Sequence, residues 1–289
     1  MPHDFDYFAA FSRNVGWVTR AEQAVLRGKR VAIAGLGGVG GLHLVTMARL
    51  GIGAFHLAEL DDFGLVNFNR QCGATMGNIG RPKLDVMLEM AGEINPELEV
   101  RTFPEGVTAA NLDAFLDGVD LYLDGLDFFV LTLRQAVFAA CERMRIPATT
   151  VAPLGMGAAL LNFLPGGMTF EDYFGFGDAP ESEKALRFAL GLAPSGLHMG
   201  YLVDRSAVDL ANRRGPSTPM GAMLCAGVAA TEALKILLGR GRVLAAPWGV
   251  HFDAYKNQLN RTWRPRGHRN PLMRLALRVG RRKLGLPSP

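Results

Sequence analysis

The sequence has little of what defines several common protein classes. Its three cysteines, Cys72, Cys141 and Cys225, stand far apart, with no C-x-x-C pair and no histidine at ligand spacing. This pattern excludes a disulfide framework and the usual structural zinc site. No uninterrupted apolar run reaches the roughly 18 residues of a membrane span, and the first residues include acids where a signal peptide would have lysines. The sequence therefore predicts a cytoplasmic protein with reduced thiols.

Acidic residues are missing from the C-terminal segment. From Arg261 onward there are eight Arg and one Lys but no Asp or Glu, although the whole chain has 31 basic and 27 acidic residues. At helical spacing, this tail places four arginines on one face and four apolar residues on another: Arg274, Arg278, Arg281 and Arg282, and Leu272, Leu275, Ala276 and Val279. We expect a basic amphipathic helix that docks on the body, contacts an anionic surface such as lipid or RNA, or holds a partner.

A glycine-rich loop follows an apolar segment near the N-terminus. Val31–Ala34 has the pattern of a buried strand, Gly35, Gly37 and Gly40 have the G-x-G-x-x-G spacing, and a helical pattern begins at Gly41. Glycines let the backbone approach a ligand, and the start of a helix offers unpaired N–H groups and a positive dipole end to an anion. The loop by itself predicts a site for a nucleotide without deciding which one.

The alternation of apolar segments predicts the fold class. Four further strands are expected after the glycine loop, with helices between them: 54–59, 98–103, 119–124 and 147–151. This order predicts a Rossmann-like, doubly wound α/β sheet, mostly parallel, with antiparallel strands added in the C-terminal half. There, residues 157–165 and 249–255 read as strands and 219–239 as a long helix, while 165–195 has no clear period. We expect one domain, 1–260, with a nucleotide-binding half (29–151) and a substrate-side half (152–260), followed by a tail (261–289).

The segment after the second predicted strand separates two kinds of nucleotide enzyme. A dinucleotide dehydrogenase needs an acid at this strand end, and Glu59, Asp61 and Asp62 supply one. The next residues, however, include Asn67 and Arg70, which are expected to lie beside the glycine-rich loop. Hydride transfer needs no such cation. Activation of a carboxylate does, because negative charge grows on the departing pyrophosphate.

At these residues the chain resembles the ThiF/MoeB/HesA family of ubiquitin-activating-like adenylyltransferases. The resemblance rests on GLGGVGG (35–41), VNFNRQ (66–71), IGRPK (79–83), INP (94–96) and DGLD (124–127), in matching order and spacing from about Phe11 to Tyr255. It implies formation of an acyl adenylate and pyrophosphate from ATP with Mg²⁺. The acyl group would usually be the C-terminal glycine of a small ubiquitin-like or sulfur-carrier protein, or a peptide C-terminus.

The resemblance also implies a set of site residues. Asp127 matches the magnesium ligand, Glu59 the acid on the ATP ribose, and Arg13 an arginine on a free N-terminal arm that reaches the phosphates of the partner subunit in a homodimer. The implied catalytic residues are Arg13, Arg70, Lys83 and Asp127. The implied nucleotide-binding residues are Gly35, Gly37, Gly38, Gly40, Glu59, Asp61, Asn67, Arg70 and Lys83.

The chain departs from the family at several positions. Glu59 stands where the family commonly has Asp, Phe128 where it has Asn, and the nearby arginine is displaced to Arg134. The segment 166–177, where many members carry a cysteine, has none. We therefore expect an enzyme that stops at the acyl adenylate. Three alternatives stay open: an adenylating dehydratase acting on a modified tRNA base, an NAD-dependent oxidoreductase, and a non-catalytic nucleotide-binding partner protein.

Overall fold

One mixed sheet organises the chain in the computed structural model, which describes residues 4–208 and 214–284. Its strands are β1 (Arg30–Ala34), β2 (Ala54–Ala58), β3 (Glu99–Phe103), β4 (Leu121–Asp124), β5 (Ala148–Leu154), β6 (Gly157–Phe163), β7 (Trp248–Asp253) and β8 (Gln258–Trp263). Their spatial order is β3-β2-β1-β4-β5-β6-β7-β8. The first five strands are parallel, and β6, β7 and β8 are antiparallel additions. The predicted fold class is confirmed.

Helices cover both faces of the sheet. They are α1 (Tyr7–Ala10), α2 (Arg20–Arg27), α3 (Gly40–Leu50), α4 (Lys83–Ile94), α5 (Leu112–Leu116), α6 (Leu131–Arg143), α7 (Phe170–Phe174), α8 (Glu181–Leu192), α9 (Pro219–Leu237) and α10 (Pro271–Leu284). Alternate residues of β1 point to opposite faces, so Val31 and Ile33 lie in one apolar core, while Ala32 and Ala34 lie in another. The sheet therefore separates two buried layers.

Two elements of the C-terminal half do not follow from the sequence pattern. α8 lies in the stretch that has no clear period, and it is held by an aromatic cluster that includes Phe174, Phe176 and Phe188. The same cluster shows that the aromatic segment 173–176 fills the core. β8 is an additional edge strand paired with β7, and it crosses the expected domain end at residue 260. Packing against the aromatic cluster fixes α8, and pairing with the neighbouring β7 fixes β8.

α9 is the one described helix that is long and apolar enough to cross a membrane. In this fold it packs against β5, β6 and α3. Its buried Glu232 accepts a hydrogen bond from Asn162 of β6 at 3.0 Å. α9 is therefore a core helix of the α/β domain.

The basic tail forms α10, which docks on α8. Met273 and Leu277 pack against Leu186, and Arg281 pairs with Glu183. The apolar face predicted from the sequence is not the one that packs: Leu272, Leu275 and Val279 point to solvent. Residues 285–289 of the predicted tail lie outside the described residues.

Candidate nucleotide-binding site

The glycine loop lies where the direction of strand order reverses. β1 is flanked by β2 on one side and by β4 on the other. After β1 the chain continues to β2 on one side of the sheet, and after β4 it continues to β5 on the other side. A crevice opens at such a switch point beyond the carboxyl ends of the strands, and it is where α/β sheets bind ligands. The loop 35–40 follows β1, and the segment 125–127 follows β4, so both border this crevice.

Three glycines meet at the base of the loop with no room for a side chain. A Cβ on Gly40 would lie 1.7 Å from the carbonyl oxygen of Gly35, and one on Gly125 would lie 2.2 Å from that same oxygen. Gly35 itself has φ +82°, a conformation that favours glycine. Gly125 is not among the residues predicted from the sequence, although its place directly after β4 in DGLD was a usable signal. This contact brings the two segments together.

Arg70 and Gln71 cover the outer part of the loop. The side chain of Arg70 passes 3.5 Å from the Cβ position of Gly38, and the amide of Gln71 passes 3.5 Å from that of Gly37. The Arg70 guanidinium is held by the carbonyl of Val66 at 3.0 Å. The Gln71 Oε1 is buried without a hydrogen-bond partner in the described part of the chain. A cation and a polar amide thus lie over the backbone where an anion would sit.

Glu59 ties the glycine loop to the end of β2. Its Oε2 accepts from the backbone N–H of Leu36 at 2.8 Å, and its Oε1 accepts from Leu60 at 2.8 Å and Asp61 at 3.0 Å. Each carboxylate oxygen can accept more than one hydrogen bond, so a ribose hydroxyl could still donate to it. Glu59 therefore has a positioning role as well as being the predicted ribose ligand.

Lys83 and Asn67 are placed by the connection from β2 to α4. Lys83 is the first residue of α4; its side chain is buried, and its ammonium lies 3.0 Å from the exposed carboxylate of Asp61. Asn67 ends a 3₁₀ turn and accepts from the backbone N–H of Gly64 at 2.9 Å. Arg70 follows on the same connection. Arg70 lies over Gly38, and Lys83 is linked to the glycine loop through Asp61 and Glu59.

Asp127 and Asp124 have different environments after β4. Asp124 is buried and accepts from Nε of Arg134 at 2.7 Å, so its charge is already compensated. Asp127 is exposed, and its Oδ1 accepts from the backbone N–H of Phe129 at 3.0 Å. Arg134 also donates to the carbonyls of Leu126 at 2.6 Å and Asp127 at 3.1 Å. The displaced arginine therefore fixes the loop that carries Asp127.

Arg13 lies far from the glycine loop. It is exposed on a 3₁₀ turn and makes no ion pair or side-chain hydrogen bond within 4–208 or 214–284. The arm is held at the end of α3, where Tyr7 donates to the carbonyl of Gly51 at 2.5 Å and Asn14 to that of Leu50 at 3.3 Å. The 11 residues of α3 separate this end from the glycine loop by about 16 Å. The expectation of a free arm is wrong, because buried contacts fix it.

The cysteines are not activated. Burial raises the pKa of all three thiols, and Cys141 and Cys225 lie in the core. Cys72 is half-buried, with its Sγ 4.0 Å from the Sδ of Met87. A thiolate nucleophile needs a lowered pKa. This environment is that of structural cysteines.

Sequence comparison places the chain among adenylating proteins. The model of the ThiF family matches residues 11–274. HesA of Nostoc sp. is 32% identical over 146 residues, covering 50% of this chain and 57% of HesA. The sulfur carrier protein ThiS adenylyltransferase of Escherichia coli is 30% identical over 206 residues, which cover 69% of this chain and 78% of the adenylyltransferase. The E. coli tRNA threonylcarbamoyladenosine dehydratase is 35% identical over 125 residues, which cover 43% of this chain and 46% of the dehydratase. The matched part thus spans little more than half of HesA.

Solved structures share the fold. E. coli MccB with MccA has a TM-score of 0.67 at 17% identity, covering 94% of this chain and 76% of MccB. The E. coli tRNA dehydratase in complex with AMP has a TM-score of 0.60 at 22% identity, and the match covers 80% of this chain and 95% of the dehydratase. At these identities the likeness shows the fold, while the family match spans nearly the whole chain. The glycine crevice, its cations and this match agree: the chain belongs to the ThiF family and is adenylyltransferase-like.

Proposed function

We propose that this chain is a cytoplasmic, homodimeric enzyme that uses ATP to adenylate a carboxylate and releases pyrophosphate. The proposed substrate is the C-terminal carboxylate of a small ubiquitin-like or sulfur-carrier protein, or of a peptide. One observation carries the proposal. At the switch point of the sheet, the glycine-rich loop 35–40 lies under Arg70, with Lys83 and Asp127 on the segments that follow β2 and β4.

The residues of the crevice suit ATP with Mg²⁺. Gly37 and Gly38 carry no side chain, so backbone N–H groups of the loop could approach phosphate oxygens, and the start of α3 would add its positive dipole end. Asp127 is the exposed carboxylate at the end of β4, and Mg²⁺ is commonly held by one or two carboxylates together with substrate phosphates. Bound there, Mg²⁺ would neutralise charge on the pyrophosphate.

In the proposed reaction a carboxylate oxygen of the substrate attacks the α-phosphorus of ATP. The bond from that phosphorus to the bridging oxygen breaks, so the products are an acyl adenylate and pyrophosphate. Arg70 would donate in a planar fork to phosphate oxygens, and Lys83 would act as a compact charge already partly neutralised by Asp61. Glu59 would orient the ribose. Preorganised cations and amides lower the barrier because they need no reorganisation as charge develops.

The surface beside the crevice supports the proposed homodimer. Leu65, Val66 and Met76 are exposed in the connection before α4, and Met223 is exposed on α9. Asn69 joins these two regions by donating to the carbonyl of Ser217 at 2.9 Å. An apolar surface of this kind is typical of a protein interface.

A modified tRNA base is a second candidate substrate. Relatives include tRNA threonylcarbamoyladenosine dehydratases, and the acid-free C-terminal segment offers positive charge to RNA. The family match favours both of these substrates over the NAD-dependent alternative.

The test is exchange of labelled pyrophosphate into ATP, with a small ubiquitin-like protein ending in glycine or with tRNA as the carboxylate source. We expect exchange with the protein, and a loss of about 100-fold or more in Arg70→Ala and in Lys83→Ala, because removing one donor to a developing anion costs about 3–4 kcal/mol. Arg81→Ala is the matched control, since Arg81 lies near Lys83 but pairs with Glu89 on the surface. Exchange with tRNA alone would select the second candidate, and full activity in Arg70→Ala would contradict the proposed site.

A further inference from the structure

α10 presents two different faces, and only one of them is used by the fold. Met273 and Leu277 are buried against α8. Leu272 is 77% exposed, Leu275 56% and Val279 44%. α10 therefore has two apolar faces, one docked on α8 and one facing solvent.

The docked face holds α10 in a fixed orientation. At Gly280 the helices approach so closely that a Cβ would lie 2.7 Å from a methyl of Leu186. Glu183 of α8 binds Arg281 through both carboxylate oxygens, and this hydrogen bonding lowers the pKa of Glu183. The outer face is thus presented by a packed helix rather than by a loose tail.

The outer face combines an apolar stripe with a flank of arginines. With 3.6 residues per turn, Leu272, Leu275 and Val279 fall within about 60° of one another around the helix axis. Three exposed arginines follow the neighbouring stripe and make no ion pair in the part of the chain that the structure describes: Arg274, Arg278 and Arg282. No Asp or Glu occurs after residue 261 to neutralise them.

We propose that this face binds an anionic lipid bilayer, with α10 lying in the plane of the headgroups. The leucine and valine side chains would enter the boundary between headgroups and acyl chains, while the arginines would contact lipid phosphates. The helix of 14 residues is about 21 Å long and is attached along its opposite side to the domain. RNA would use the arginines but offers no apolar layer for the stripe. The enzyme would thereby be held at the membrane surface.

The experiment is vesicle flotation of the full chain, with neutral phosphatidylcholine vesicles and with vesicles containing one-third phosphatidylglycerol. We expect binding to the anionic vesicles alone. The variant Leu272→Ser, Leu275→Ser and Val279→Ser should reduce the bound fraction at least tenfold. The variant Arg274→Glu with Arg278→Glu should also reduce the bound fraction at least tenfold, since each arginine near an anionic surface raises the binding constant about fivefold. None of these substitutions touches the docked face, so the melting temperature should change little.

The matched control is Val25→Ser, an exposed apolar residue on α2, with Arg20→Glu on the same helix. This control variant should bind vesicles as the wild type does. Failure of the wild type to float, equal binding to neutral vesicles, or full binding by the serine variant would each overturn the proposal. Binding of tRNA without vesicle binding would overturn it as well, and would identify the face as an RNA contact.

Discussion

Gly40→Ala should distort the base of the glycine loop. The new Cβ would lie 1.7 Å from the carbonyl oxygen of Gly35 and 2.8 Å from its carbonyl carbon, whereas ordinary contacts begin near 3.4 Å. The loop must therefore open by about 1.7 Å, and the atoms that must move are backbone atoms that Gly125 packs against from the other side. Overpacking of this kind lowers the free energy of unfolding by about 1–3 kcal/mol or more, so we expect the melting temperature to fall by about 3–10 °C.

Gly92→Ala is the control for this substitution. Gly92 lies inside α4 and has open space where a Cβ would be, so alanine should leave the protein as stable or stabilise it by about 0.5–1 kcal/mol. The assay is thermal melting with and without MgATP. We expect the ATP-induced rise in melting temperature to disappear in Gly40→Ala and to be retained in Gly92→Ala. Wild-type melting and an unchanged ATP response in Gly40→Ala would refute the argument that this contact shapes the site.

Three further predictions concern the dimer, the thiols and pH. Because the arm is fixed about one helix length from its own loop, an equal mixture of inactive Arg13→Ala and Asp127→Ala chains should recover about a quarter of wild-type exchange once subunits have exchanged; verified heterodimers without activity would place Arg13 outside the site. Replacing all three cysteines by serine or alanine should leave pyrophosphate exchange intact, and mass spectrometry of the wild type with ATP and its carboxylate substrate should show no reductant-sensitive adduct. Burial lowers the pKa of His43 from 6.5 to about 4, so the unfolded chain takes up the proton first and stability should fall by up to about 3 kcal/mol as the pH drops from 6.5 to 4. Denaturant melts should show a weaker pH dependence in His43→Gln, and an unchanged dependence would assign the effect to other groups.

Local pattern was sufficient for the first half of the chain. The predicted strands agree with β1 to β5 within three residues at each end, because buried parallel strands leave apolar runs and glycines mark the turns between them. α2 begins with a capping box formed by Thr19 and Glu22, residues only three positions apart in the sequence. The glycine spacing and the nearby Arg70 and Lys83 are also local, since all of them lie within about 50 residues of one another along the chain.

Contacts between distant segments decided the rest. The role of Gly125 depends on its distance from Gly35, and that of Arg134 on the carbonyls around Asp127. In α10 the sequence determined that the helix would be basic and amphipathic, since spacing along one chain sets which side chains share a face. Which of its apolar faces is buried depended on α8, a helix that the pattern did not predict, because a docking face is chosen by the partner surface available to it.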